Sequence, residues 1–76
     1  MKKQEFINLI LIEIESDSTA TLETELSEIS EWDSLASMIT IGLIYEHFDV
    51  VIKAPQLGEC ITFNDITNLC GYDFTG

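Results

Sequence analysis

The stretch SLASMITIGLIYEHF, residues 34–48, carries apolar residues on nearly every side of a helical wheel. A helix of this kind is normally buried all round, yet a chain of 76 residues has too little interior to enclose one. Other segments must therefore cover part of it and leave the rest as an exposed apolar surface, and such surfaces usually mark partner-binding faces. The spacing predicts that Ser37, Ile41, Ile44 and Phe48 point inward, with Thr40 at their margin. Leu35, Ile39 and Leu43 form a second line, and Met38, Gly42 and Tyr45 a third.

The remaining segments supply the cover. Residues 2–14 place Phe6, Leu9, Ile10 and Ile14 three and four apart, flanked by Ile7 and Leu11, which predicts a first helix with a broad apolar face. Periodicity then fails from Glu15 to Asp33, where Ser, Thr, Asp and Glu dominate. Within this loop Leu22, Leu26 and Ile29 are spaced to touch the core and to form a helical turn. Asp33 is placed to cap the helix that opens at Ser34, and His47 lies in its last turn, where positive charge is favoured. Pro55 suits the first turn of a short helix over residues 55–59. A last helix opens with Thr62 and Asp65 in capping-box spacing, continues through Phe63, Ile66, Leu69 and Cys70, and stops at Gly71. A strand at residues 50–52 would find no partner. The expectation is one all-α domain over residues 1–76, a small four-helix bundle of three main helices and one short one, with a long loop between the first two.

Composition narrows the function. The net charge is −11 and the only basic residues are Lys2, Lys3 and Lys53, so phosphate-neutralising contacts to nucleic acid or an anionic membrane surface are excluded. Partners with basic or apolar docking surfaces are expected instead, with the carrier of this charge a monomer. Two lysines precede the first apolar run, but Glu5 and Glu13 bracket it, no small-residue cleavage site follows, and it is too short to span a bilayer, so a cytoplasmic protein is expected. Cys60 and Cys70 lack CxxC spacing and a neighbouring histidine, which makes them reduced core thiols and no metal site. His47 lies thirteen residues beyond Ser34 on one helix, about 20 Å away, so no Ser–His pair is available within the chain and no catalytic residue is assigned.

Ser34 nevertheless has a chemically distinctive place. At the first turn of a helix, beside an acidic cap, a phosphate ester on its hydroxyl would meet unsatisfied backbone N–H groups at the positive end of the helix. The sequence DSL at residues 33–35, EHFDVVI at 46–52 and TFNDITNL at 62–69 together resemble the acyl carrier protein family, over essentially the whole chain. The resemblance implies that a phosphopantetheinyl transferase attaches a 4′-phosphopantetheine arm from coenzyme A to Ser34, with Asp33 and Leu35 presenting that serine. Acyl groups would then ride on the arm as thioesters between acyl-loading and acyl-transfer enzymes, and the protein would not itself be an enzyme. Leu35, Met38, Gly42 and Glu46 would contact partners. Ile41, Ile44, Ile52, Leu57, Cys60 and Ile66 would line an apolar interior that receives the acyl chain.

One departure from the family stands out. Its second helix typically carries several acids, whereas residues 34–48 contain only Glu46, and eight of the fourteen acids lie in or beside the loop. A specialised lipid or acyl-transfer pathway fits this distribution better than central fatty-acid synthesis. Two alternatives stay open: a peptidyl (aminoacyl) carrier with the same arm, although its common Gly-Gly before the Asp/His-Ser pair is replaced here by SEW, and an unmodified helical interaction module.

Overall fold

The computed structural model describes residues 1–71. It contains four helices, α1 (Lys3–Glu13), α2 (Ser34–Phe48), α3 (Ala54–Gly58) and α4 (Phe63–Leu69), and one 3₁₀ turn (Leu26–Glu28) within the long loop. The radius of gyration, 11.0 Å, is what a folded chain of this length adopts, about 11 Å, so the loop is wrapped onto the helices.

Local chemistry sets the helix ends. The Glu5 carboxylate accepts the Lys2 N–H at 2.7 Å at the start of α1. At its end Glu15 takes a left-handed conformation (φ 58°), while Ser16 N–H donates to the Leu11 carbonyl at 2.9 Å and Glu15 N–H to that of Ile12 at 3.0 Å. This is a Schellman closure with glutamate at the position that glycine usually fills. Asp49 (φ 57°) ends α2 in the same left-handed region. At α4 the expected capping box is present: Thr62 Oγ1 accepts the Asp65 N–H at 3.3 Å, and Asp65 Oδ2 accepts those of Thr62 and Ile61 at 3.0 and 2.9 Å. Gly71 follows with φ 61°, the conformation that terminates the helix.

The core joins Phe6, Ile7, Ile10 and Leu11 of α1 to Leu43 and Ile44 of α2, with Ile52, Leu57, Phe63, Ile66 and Cys70 closing it. Phe6 meets Phe48 edge-to-face at 5.0 Å, and Trp32 meets Phe63 at 6.2 Å, so Trp32 packs half-buried from the loop against the start of α4. The loop contributes Ala20, Leu26 and Ile29 to the core, with Leu22 packed against it. It is also laced to the start of α4. Leu26 N–H donates to the Ile61 carbonyl at 2.8 Å, Phe63 N–H to Thr24 at 3.2 Å and Asn64 N–H to Leu22 at 2.9 Å, around an antiparallel bridge between Glu25 and Thr62. Residues 50–52 form no strand; the extended pairing lies instead between loop and α4.

The inward face of α2 differs from the expected one. Ala36, Thr40, Leu43 and Ile44 are buried, whereas Ser37, Ile41 and Phe48 are only half-buried. The helix is thus turned by about a quarter of a revolution from the predicted orientation. Thr40 can occupy the interior because its hydroxyl donates to the Ala36 carbonyl one turn back, at 2.9 Å, which satisfies that hydroxyl inside the core. On α1 the buried line is likewise Phe6, Ile7, Ile10 and Leu11, with Leu9 and Ile14 at its edges.

Candidate functional site

Asp33 sits in extended conformation just before α2, and its Oδ1 accepts the Ala36 N–H at 2.9 Å while its carbonyl accepts that of Ser37 at 3.0 Å. Of the four N–H groups that this helix end leaves without an intrahelical partner, those of residues 33–36, the cap satisfies that of Ala36, while Ser37 makes the first intrahelical bond. The N–H groups of Ser34 and Leu35 have no acceptor among the described residues, and the exposed Ser34 hydroxyl makes no hydrogen bond among them either. A phosphodiester on Ser34 would meet those two donors and the positive end of a fifteen-residue helix. The residues present therefore fit a phosphate-linked arm: an accessible oxygen, a rigid cap, and free backbone donors beside it.

A groove of about 230 Å³ opens next to this serine, lined by Glu13, Ile14, Glu15, Glu31, Asp33, Leu35, Ala36 and Ile39. Both chain neighbours of Ser34 belong to its wall. The floor is apolar, from Ile14, Ala36 and Ile39, and four carboxylates form the rim. Glu31 is fixed there by the Ser16 hydroxyl, which donates to it at 2.7 Å; that bond, a second from Ser30 and one from its own backbone hold its carboxyl below the usual range. In the sequence Glu13, Glu15 and Glu31 are simply acids in or beside the loop, and Ile14, Ala36 and Ile39 carry no signal for a site. The signal that joins them is the four-residue step from Leu35 to Ile39, meaningful only once the end of α1 is brought alongside.

The residues expected to contact partners are on the surface. Leu35 is 65% exposed and Met38 67%, and Gly42 and Glu46 are exposed on the same side, with Tyr45 beside them. The long loop leaves this strip uncovered. The six residues expected around an acyl chain are gathered in one place: Ile44, Ile52, Leu57 and Ile66 are buried together, with Ile41 and Cys60 half-buried against them. They are packed on one another as core, and none of them lines the groove beside Ser34 or a second one, about 320 Å³, between α1 and the loop at Asn8, Leu11, Ile12, Ser16, Ser18 and Thr19.

Both thiols are weakened as acids by their surroundings. Burial pushes Cys70 up to about 12, and Cys60 is also raised, by desolvation first and then by Asp65 and Glu59. Both are free, and each sulfur donates weakly to the carbonyl one turn back. His47, at the far end of α2, stands edge-on to Phe6 at 6.5 Å. Among the described residues no helix is long and apolar enough to cross a membrane. No protein-family model, no curated protein and no solved structure matches the chain.

Proposed function

We propose that the protein is an acyl carrier, loaded on Ser34, that serves a specialised lipid or acyl-transfer pathway in the cytoplasm. The observation that carries this reading is the free, exposed Ser34 hydroxyl at the first turn of α2, beside an Asp33 cap that leaves two backbone donors open. When bound, 4′-phosphopantetheine supplies the terminal thiol that carries an acyl group as a thioester. Ser34 contributes the oxygen that a phosphopantetheinyl transferase modifies. Asp33 holds the helix start rigid, so that this oxygen faces solvent in one orientation, and the N–H groups of Ser34 and Leu35 steady the negative charge that arrives there. Leu35 and Met38 offer apolar contact to loading and transfer enzymes, and a thioether suits a surface that meets several partners in turn. Neither cysteine competes for acyl groups, because burial keeps both protonated. A strongly acidic monomer also repels its own copies, which keeps the carrier free between visits.

One observation favours an aminoacyl cargo over a plain acyl chain: the groove beside Ser34 has four carboxylates on its rim, which would stabilise an ammonium group on a tethered amino acid. Intact-mass measurement after incubation with coenzyme A and a broad-specificity transferase tests the central reading. A phosphopantetheine adduct on the wild type that is absent from Ser34→Ala supports it, and a folded wild type that gains no mass overturns it. Loading the resulting arm with acyl or aminoacyl groups of equal size, and comparing thioester lifetimes, separates the two cargo classes.

A further inference from the structure

Gly42 has no reason to be glycine within the fold. It lies in the interior of α2, has an ordinary helical backbone, and a Cβ built on it would meet nothing within 4 Å. Alanine would fit and would favour the helix, since glycine is among the poorest residues inside one. Its neighbours on the surface explain it. Leu35, Met38, Gly42 and Tyr45 follow one another at steps of three, four and three, the spacing of a coiled-coil seam, and the three side chains are 65%, 67% and 56% exposed. The seam is uncharged for about 20 Å of helix and bounded by Asp33 at one end and by Glu46 and Asp49 at the other.

We infer that this seam receives an α-helix of a partner protein, crossing at Gly42, apolar along its centre and cationic at its ends. This deepens the docking half of the carrier reading and rests on it for the choice of surface. Glycine at the crossing lets the partner backbone approach more closely than any side chain would allow. Leu35, Met38 and Tyr45 supply knobs on either side of the crossing. The acids at both ends select the charge of the occupant and reject a second copy, because either antiparallel or parallel pairing of two seams brings carboxylates together in a chain of net charge −11.

The test uses the intact protein and two synthetic helical peptides with identical composition, leucine-rich with lysines at both ends. In one the leucines keep heptad spacing, and in the other they are shuffled out of register. Titration by calorimetry is expected to give binding of the heptad peptide at least tenfold tighter than that of the shuffled one. Gly42→Gln is expected to remove most of that difference, while Gly42→Ala raises Tm by a few degrees and weakens binding less. Equal binding of both peptides, which charge attraction alone would produce, overturns the inference, as does unchanged binding by a folded Gly42→Gln variant or no binding of the heptad peptide up to about 1 mM. Sedimentation showing a dimer that Gly42→Gln dissolves would also overturn it, in favour of a second copy. Ser34→Ala should bind the heptad peptide as the wild type does. A folded wild type that gains no phosphopantetheine yet binds the heptad peptide would thus refute the carrier reading alone, and a wild type that loads but does not bind the peptide would refute the seam alone.

Discussion

The Ser16 hydroxyl donates to the Glu31 carboxylate at 2.7 Å, joining the two ends of the long loop across fifteen residues. The groove beside Ser34 takes part of its rim from this contact, since Glu31 is positioned by it.

Its energetics depend on pH with a definite sign. Hydrogen bonds from Ser16, then Ser30, hold the Glu31 carboxyl below its ordinary value, so the folded state binds its proton more weakly than the unfolded chain does. The stabilisation is present above the ordinary carboxylate pKa and disappears as pH falls through the lowered one. The Tm of the wild type is expected to exceed that of Glu31→Gln at pH 7, with the gap narrowing below about pH 4. A comparison between variants is needed because protonating other acids relieves the self-repulsion of the −11 chain and pushes the other way. A gap that stays constant down to pH 3 would mean that the ionised form is not what the serine favours.

The orientation of α2 is tested by two isoleucines. Ile44 has no exposed surface, while Ile41 is half-buried at the edge of the same helix. Ile44→Ala is expected to cost about 2–5 kcal/mol and Ile41→Ala less than half as much, measured by urea unfolding. Against a total of about 4–11 kcal/mol for a chain of this size, the first change removes a large share of stability. Equal costs would contradict the observed rotation.

The helix cap at Asp33 is separable from its charge. Asp33→Ala is expected to lower stability by about 1 kcal/mol, or about 4–8 °C in Tm, whereas Asp33→Asn retains the acceptor for the Ala36 N–H and most of the stability. If both variants fall equally, carboxylate charge and not the cap hydrogen bond stabilises the start of α2.

Thiol reactivity should follow burial. Cys70 has no exposed surface and its thiol is pushed up to about 12, while Cys60 is raised less strongly and is half-buried. At pH 8 in iodoacetamide, mass spectrometry is expected to find Cys60 alkylated slowly and Cys70 only at the rate at which the fold opens, with urea exposing both. Fast native labelling of Cys70 would place its sulfur outside the core.

What could be read from sequence here was local. The cap at Asp33, the Thr62–Asp65 box, the stop at Gly71 and the helical turn around Leu26 all depend on groups within a few residues of one another, and each is present. The serine at the exposed start of α2 was legible for the same reason. The rotation of α2 was not, because a helix that is apolar nearly all round has no hydrophobic phase, and its buried face is chosen by what α1 and α3 press against it. Thr40 entered the interior on the strength of one hydrogen bond to Ala36, which no hydrophobicity pattern weighs. The lacing of Leu22, Thr24 and Leu26 to the start of α4 joins segments far apart in the chain through backbone groups, so side-chain identity carries little trace of it. The groove beside Ser34 is likewise a product of tertiary structure. Its walls come from the end of α1, the loop and α2, and only packing brings those three together.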